Sequence, residues 1–231
     1  SARVMAKSVA EATMAYMMSG LRDISLYDRK MKEGMLWKDV EYYNAGLFYK
    51  KIALVGLGQV GRFLIEYLKP FEVEILLYDP YVQDDDPVFL NQSVRRAELE
   101  TALMEADIVS IHAGYTEETH HMLDKNMLSL LKPGTLLVNT ARGGIIDEEA
   151  LADILEKGEI KAVLDVYERE PLPLESRLRK LDNVTLIPHM AGPTIDMRQY
   201  MTLSVLQDFT KIFNGEEVQS RISLHQYRIM T

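Results

Sequence analysis

Apolar residues recur with two different periods along this 231-residue chain, and the change between them comes near Lys51. From Ser8 to Met31 the apolar positions return every three to four residues, which predicts one long amphipathic helix. Six methionines fall in the first 35 residues. We interpret them as part of a packed helix face, because methionine fills irregular apolar gaps.

After Lys51, short and almost wholly apolar runs alternate with helical segments. Such runs are typical of strands buried on both faces of a parallel sheet. The six predicted strands are 51–55, 73–79, 106–112, 134–140, 161–166 and 183–189. The predicted helices between them are 62–69, 96–106, 125–132 and 147–158. This alternation predicts an α/β fold with a doubly wound parallel sheet and long flanking N- and C-terminal helices.

Local signals set the limits of the helices and of three predicted units. Asp147 is a plausible N-cap for the last helix between strands, and Gly158 a plausible end. A second long helical pattern covers 194–217, with Gly215 near its end. The predicted units are an opening helix and dimer element at 1–35, the sheet domain at 36–193, and a C-terminal helix and tail at 194–231.

Composition narrows the possible partners of the chain. The formal net charge is −9 and there is no cysteine, which excludes disulfides, thiolate metal sites and a cysteine nucleophile. The negative balance argues mildly against nucleic acid or an anionic membrane as partner. No apolar run approaches the roughly 18 residues that span a bilayer. We therefore expect neither nucleic acid, nor membrane, nor metal as a ligand, and a cytoplasmic location.

A glycine-rich segment follows the first strand with the spacing G-x-G-x-x-G. Gly56 would permit a tight turn, Gly58 would let the backbone approach a pyrophosphate, and Gly61 would allow helix and strand to pack closely. The next strand ends in Asp79, which can accept hydrogen bonds from an adenosine ribose and would repel a 2′-phosphate. The order predicts a Rossmann-type NAD-binding domain, although three turn glycines and a loop-end acid would look similar.

Polar residues follow each of the remaining predicted strands. In a parallel sheet, ligands bind at the carboxyl ends of the strands, so these side chains are expected to share one crevice. They are His112, Thr140, Arg142, Asp165, Glu170 and His189. Such a set suits hydride transfer on a hydroxy acid: an arginine can grip a carboxylate, a histidine can exchange the hydroxyl proton, and an acid can hold the histidine. Taken singly, each could instead be a surface or structural residue.

His120 and His121 are adjacent in the sequence and raise the question of a metal site. Two adjacent histidines point apart on most backbones, and no carboxylate partner is evident in the sequence. We interpret both as structural or solvated.

The motifs together resemble the D-2-hydroxyacid dehydrogenase family over essentially the whole chain. The similar segments are VAEATMAYMMSGLR, VGLGQVGR with YDP, VSIHAGYTEETHHML, LLKPGTLLVNTARGGIIDEEAL, LDVYEREP and LIPHMAG. The resemblance implies NAD as cofactor, a D-2-hydroxy or 2-keto acid as substrate, and a homodimer. It implies that Arg142, Glu170 and His189 are catalytic.

The resemblance also implies a set of cofactor-binding residues. Those around the phosphates and ribose are Gly56, Gly58, Gln59, Val60, Gly61 and Asp79. Those on the nicotinamide half are His112, Thr140, Ala141, Arg142, Asp165, His189 and Gly192. Within this half, Asp165 would bind the carboxamide.

The chain departs from the family pattern in two respects. Gly114 and Tyr115 replace the usual Pro-Leu, which would loosen or re-aim a cofactor loop. Family members carry a substrate domain of about 100 residues before the opening helix, and we expect this chain to be the cofactor part. A non-catalytic, NAD-dependent dimerising module, as in corepressors of the same fold, is the alternative.

Overall fold

The protein is described by a computed structural model that covers residues 2–38, 44–218 and 221–222. Most of the predicted tail after residue 218 lies outside the described residues. The sheet has seven parallel strands in the order β3-β2-β1-β4-β5-β6-β7. They are β1 (Lys51–Val55), β2 (Glu74–Tyr78), β3 (Val94–Arg96), β4 (Ile108–Ile111), β5 (Leu136–Asn139), β6 (Lys161–Leu164) and β7 (Val184–Leu186). The predicted doubly wound α/β fold is confirmed.

Alternate residues of the central strand face two separate apolar cores. In β1, Ala53 and Val55 belong to one buried cluster, whereas Ile52 and Leu54 belong to the other. Side chains of a strand alternate between faces, so each face of the sheet has its own helical cover. The strand order reverses between β1 and β4, and the crevice at such a reversal is where this fold class binds ligands.

The described residues include seven α-helices, most of which pack on the sheet. They are α1 (Ala2–Arg22), α2 (Ile24–Lys32), α3 (Gln59–Leu68), α4 (Leu99–Glu105), α5 (Lys125–Leu128), α6 (Glu148–Leu155) and α7 (Arg198–Phe213). The predicted cap of α6 is confirmed, because the Asp147 carboxylate accepts the N–H of Ala150 at 3.0 Å. Gly158 and Gly215 follow their helices with φ of 75° and 73°, a backbone that favours glycine. None of these helices combines the length and apolar character needed to cross a bilayer.

The opening segment is two helices, and the prediction of one continuous helix over 8–31 was wrong. Asp23 interrupts the helix with a left-handed φ of 53°. Its carboxylate pairs with Lys161 at the start of β6, with N–O distances of 2.6 and 2.7 Å. Helical periodicity continues through this point in the sequence, so only the contact with the sheet reveals the break.

Helix α1 forms part of the cover of the sheet. Met14 and Met17 are buried in the same core as Leu136 and Val138 of β5. Other methionines of the stripe, such as Met18, remain exposed. The buried methionines of α1 therefore pack against the sheet. The predicted boundaries of the three units, at residues 35 and 193, stay a prediction.

Two further differences from the sequence analysis have local causes. Strand β3 was missed, because it lies at the sheet edge and is largely polar; Arg95 there pairs with Glu74 of β2 at 2.8 Å. Helix α5 ends at Leu128 rather than at 132. The next residues make tighter turns, such as Leu131 N–H to Leu128 at 3.2 Å, because Pro133 disfavours helical backbone before it.

An ion pair outside the crevice fixes the loop after β2. Arg62 of α3 makes two hydrogen bonds to the carboxylate of Asp86, at 2.7 and 3.0 Å. The bond from Arg62 lowers the pKa of Asp86 to about 2. Asp86→Asn keeps a capping side chain for Val88 N–H but loses the charge, and should lower the free energy of unfolding by about 1 kcal/mol at neutral pH.

The pH dependence distinguishes this ion pair from a general packing effect. The native pKa is lowered, so the stability advantage of the parent is full above the unfolded value of about 3.9 and declines as pH falls toward 2. Urea unfolding of both proteins between neutral pH and pH 2 measures this. Asp84→Asn, at a highly exposed pair with Arg96, is the control and should change stability by less than about 0.5 kcal/mol. If the stability lost in Asp86→Asn is the same at every pH, the assigned role of the Arg62–Asp86 ion pair is contradicted.

Candidate active site

The predicted glycine turn joins the end of β1 to the start of α3. Gly56 has φ of 95°, and a Cβ on it would lie 2.6 Å from the backbone nitrogen of Ala113. Only glycine fits such an approach without moving the chain. A Cβ on Gly61 would lie 3.0 Å from the carbonyl oxygen of Gly56, so α3 also packs tightly on the turn.

Gly58, by contrast, faces open space. It precedes the first residue of α3, and a Cβ on it would meet no heavy atom within 4 Å. Gly58 and Gln59 are exposed, and Val60 is half-buried in the same first turn. The N-terminal N–H groups of a helix attract anions. The turn therefore leaves room for an anionic group directly at the start of α3.

Asp79 closes the other side of this turn. Its carboxylate accepts the N–H of Leu57 at 2.6 Å and the N–H of Tyr81 at 2.8 Å. Each oxygen retains a second lone pair. The acid thus lies beside the glycine turn and can still accept hydrogen bonds from a ligand.

His112 follows β4 at the centre of the crevice. Its Nε2 lies 2.8 Å from the hydroxyl of Ser110. Burial lowers the pKa of His112 to about 4, so the ring is uncharged at neutral pH.

The turn after β5 is held by a residue that the sequence analysis missed. The side chain of Asn139 donates to the carbonyl oxygen of Arg142 and accepts the N–H of Ala141, both at 3.0 Å. Asn139 is only 1% exposed. The Arg142 guanidinium is exposed and donates to the carbonyl oxygen of Ala141 at 2.7 Å. An asparagine at a strand end was the available signal, since its amide can replace backbone partners in a turn.

Asp165, after β6, is nine-tenths or more buried and organises the loop that follows β7. Its carboxylate accepts the N–H of Met190 at 2.7 Å and the N–H of Ala191 at 3.0 Å. It also accepts the hydroxyl of Tyr16 from α1 at 3.2 Å. Thr140 meets a second hydroxyl of α1, that of Thr13, at 3.0 Å. Gly192 lies just beyond this loop with no heavy atom within 4 Å of its Cβ position.

Glu170 and His189 form a hydrogen-bonded pair between the β6 and β7 loops. Nδ1 of His189 lies 2.7 Å from Oε2 of Glu170. An ionised carboxylate only accepts, so Nδ1 carries a proton and Nε2 is left to exchange one. His189 has a left-handed φ of 53°, and its N–H bonds the carbonyl oxygens of Asp165 and Ile187.

The charge state of Glu170 follows from competing effects. Burial would raise the pKa of Glu170, but hydrogen bonds from His189 and the Tyr167 N–H oppose it. The positive charge of Arg142 acts in the same direction, and the pKa of Glu170 lies below its ordinary value. Glu170 is therefore a carboxylate at neutral pH and can accept the Nδ1–H of His189.

Backbone packing brings Arg142 close to this pair. A Cβ on Gly143 would lie 1.8 Å from the carbonyl carbon of Tyr167, so the β5 and β6 loops touch with no side chain between them. The hydroxyl of Tyr167 shares its one proton between the carbonyl oxygens of Leu164 and Ile187, at 3.1 and 2.9 Å. A cavity of about 630 Å³ adjoins the pair and is lined mainly by apolar side chains, with Leu172 and Leu186 among them.

The expectation that the side chains of His120 and His121 point apart was wrong. The rings of His120 and His121 stack with centroids 4.0 Å apart, because His121 has a left-handed φ of 49°. Nε2 of His121 also has a carboxylate partner, Oε1 of Glu168 at 2.5 Å. Among the described residues, no group of three or more acidic or histidine side chains could hold a metal ion.

Comparison with known proteins gives one consistent family. Residues 14–191 match the family described as D-isomer specific 2-hydroxyacid dehydrogenase, NAD binding domain. The chain is 38% identical over 218 residues to a glyoxylate reductase of Thermofilum pendens, covering 92% of this chain and 64% of that protein. It is 33% identical over 218 residues to a D-3-phosphoglycerate dehydrogenase of Archaeoglobus fulgidus, covering 94% of this chain and 41% of that protein.

Among solved structures, the D-lactate dehydrogenase of Lactobacillus jensenii with NAD⁺ superposes with a TM-score of 0.80. It shares 26% sequence identity, and the match covers 94% of this chain and 69% of that one. The chain thus spans only part of the length of these relatives.

Asn139→Asp tests the support of the Arg142 turn. The introduced carboxylate cannot donate to the Arg142 carbonyl oxygen, so the free energy of unfolding should fall by about 1–3 kcal/mol at neutral pH. The same carboxyl group can donate once it is protonated, so the deficit should shrink as pH falls toward 4. Urea unfolding measures both effects. Asn126→Asp, on the exposed side of α5, is the control; an equal effect there, or none at position 139, would contradict the role of Asn139.

Proposed function

Since this chain belongs to the D-isomer specific 2-hydroxyacid dehydrogenase family, we propose that it forms the NAD-binding part of an enzyme interconverting D-2-hydroxy acids and 2-keto acids. The Glu170–His189 pair with Arg142 beside it is the observation that carries this proposal. Relatives named as glyoxylate reductase and D-lactate dehydrogenase support the substrate class. Because the chain spans 41% and 64% of two relatives, the substrate site is proposed to need residues beyond those described.

The residues of the glycine turn fit a dinucleotide. NAD, when bound, supplies the hydride acceptor or donor. The pyrophosphate would lie at Gly58 and the first turn of α3, where a Cβ position is open and N–H groups face an anion. Backbone of Gly56, Gln59, Val60 and Gly61 would surround it, and Asp79 would accept the ribose hydroxyls.

The nicotinamide half is proposed to lie along the ends of β4, β5 and β6. An uncharged His112 can face it without repelling the positive ring of the oxidised cofactor. The other proposed residues of this half are Thr140, Ala141, Arg142, Asp165, His189 and Gly192. Asp165 is proposed to accept from the carboxamide.

The proton and the substrate carboxylate are handled by three side chains. Nε2 of His189 gives a proton to the carbonyl oxygen during reduction and takes it back during oxidation. The Glu170 carboxylate holds Nδ1–H and stabilises the charged ring that donates. Arg142 grips the carboxylate of the acid through paired N–H groups. These three roles need a carboxylate, an imidazole and a guanidinium close together. The loops at the carboxyl edge of the sheet provide all three.

Assembly and location are part of the proposal. A homodimer is supported by apolar side chains that remain exposed on α1 and α7, including Met5, Met18, Leu206 and Phe209. A cytoplasmic location would provide the NAD⁺ and NADH that the reaction uses.

Gly58→Ala tests the phosphate site separately from stability. The residue has φ of −80° and open space at its Cβ, so the melting temperature should stay within about 2 °C. The added methyl would block close approach of the pyrophosphate, and NADH affinity measured by calorimetry should fall at least about tenfold.

Gly56→Ala is the matched comparison. Its positive φ and its 2.6 Å approach to Ala113 predict a loss of stability of about 2 kcal/mol or more. Unchanged NADH affinity in Gly58→Ala would contradict a pyrophosphate at this turn.

His189→Gln tests the proton-transfer role. Glutamine can keep a hydrogen bond near Glu170 but cannot exchange a proton at neutral pH, so turnover should fall by at least about 10²-fold. NADH affinity should change little. Turnover is followed in an intact version of the protein that includes the further residues of the substrate site, as NADH consumption with glyoxylate and a panel of larger 2-keto acids.

His120→Gln, at an exposed ring in the β4 loop, is the control and should keep parental turnover. Undiminished turnover in His189→Gln would refute the assignment of the proton donor.

A further inference from the structure

Helix α1 places two hydroxyl groups against the carboxyl ends of β5 and β6. Oγ1 of Thr13 lies 3.0 Å from Oγ1 of Thr140, and the hydroxyl of Tyr16 donates to Oδ1 of Asp165 at 3.2 Å. Thr13 is fully buried, and Asp165 is only 1% exposed. The contacts join residues 127 and 149 positions apart in the chain. They exist only because α1 packs on the sheet.

Helix α1 packs closely on the sheet, and this explains how its side chains reach the ends of β5 and β6. A Cβ on Gly20 would lie 2.8 Å from Cδ1 of Leu136 and 2.9 Å from Cγ2 of Val163. The helix therefore rests directly on β5 and β6 at this glycine. Thr13 and Tyr16, three residues apart, lie on one helix face and meet the two strands further downstream.

The direction of the hydrogen bonds at Thr140 follows from a third contact. The Thr13 hydroxyl donates its proton to the carbonyl oxygen of Val9 at 2.8 Å. A hydroxyl has one proton and two lone pairs. Thr140 must therefore be the donor to Thr13, and its remaining lone pairs can only accept from a ligand.

The same helix also fixes the orientation of the Asp165 carboxylate, through the hydrogen bond from Tyr16. Burial, and then the charge of Asp165, raise the pKa of Tyr16 well above its ordinary range. Tyr16 therefore keeps its proton and donates it. Together with the N–H groups of Met190 and Ala191, this compensates a buried carboxylate, which is costly without donors. Two hydrogen-bond acceptors thus end the neighbouring strands β5 and β6.

We propose that Thr13 and Tyr16 are positioning residues that orient Thr140 and Asp165 as hydrogen-bond acceptors, so that the site takes a nicotinamide carboxamide and refuses a carboxylate in its place. The inference rests on the proposed function, which puts Thr140 and Asp165 beside the nicotinamide. An amide N–H₂ group offers two donors, whereas a carboxylate offers none and is repelled by Asp165. Neither α1 residue needs to contact the cofactor.

Three ligands separate this role from general support of the fold. Calorimetry on the 231-residue chain gives the affinities for NAD⁺, for nicotinic acid adenine dinucleotide, and for ADP-ribose. The parent should prefer NAD⁺ to the nicotinic acid analogue by at least about tenfold, the value of one charge-assisted hydrogen bond. ADP-ribose lacks the nicotinamide and reports only the other half of the site.

Thr13→Val and Tyr16→Phe remove single hydroxyl groups. Each should reduce the preference for NAD⁺ at least about threefold while ADP-ribose affinity stays within about twofold. Thr13→Ser keeps the hydroxyl and should restore the parental preference. Thr210→Val and Tyr67→Phe are the matched controls, because Thr210 makes the same backbone bond on the exposed face of α7 and Tyr67 lies on the surface of α3.

The outcomes are distinguishable. Variants that keep the parental preference would overturn the inference, as would equal losses for NAD⁺ and ADP-ribose, which indicate a purely structural role. A parent that binds NAD⁺ and the analogue equally would also overturn it. A parent that binds neither NAD⁺ nor ADP-ribose would instead refute the proposed function. If Thr13→Val does not fold, Tyr16→Phe decides the question.

Discussion

Burial of the parallel sheet on both faces is the constraint on which the rest of this structure depends. Apolar side chains of each strand enter one core or the other. A polar side chain without a hydrogen-bond partner would therefore be costly along the strands. Polar side chains gather at the carboxyl edge, where loops and helix starts offer hydrogen-bond partners. The glycine turn, Asp79, Arg142 and the Glu170–His189 pair all lie along this edge for the same physical reason.

Close backbone contacts then fix the spacing between the loops. Gly56 meets the chain after β4, and Gly143 meets the chain after β6, at distances that leave no room for a Cβ. Asn139 and Tyr167 hold the turns from inside by bonding backbone groups. Loops joined through backbone rather than through flexible side chains keep their side chains in register. A site assembled from separate strand ends needs this rigidity if a proton and a hydride are to move over short distances.

Much of this could be predicted from the sequence, because hydrophobic period and glycine spacing are local properties. β1 was predicted with its observed bounds, and the other predicted strands overlap the observed ones. The Asp147 cap followed from residue type alone. The residues at strand ends were named because parallel strands place their carboxyl ends together. The roles of Arg142, Glu170 and His189 were inferred from the chemistry of their side chains, and the family resemblance implies the same set. Those roles remain proposals, although the geometry supports them.

Only the tertiary structure decided the features that residues far apart in the chain form together. Asp23, at the break between α1 and α2, pairs with Lys161, and the edge strand β3 pairs with its neighbour β2 although two of its three residues are polar. The hydroxyls of Thr13 and Tyr16 look like ordinary positions of an amphipathic helix until α1 packs on β5 and β6. The sequence by itself determined the order of the elements and the edge that carries the chemistry, since both follow from local pattern. The partners and hydrogen-bond directions at that edge required the fold, because no local pattern records which distant groups packing brings within hydrogen-bonding distance.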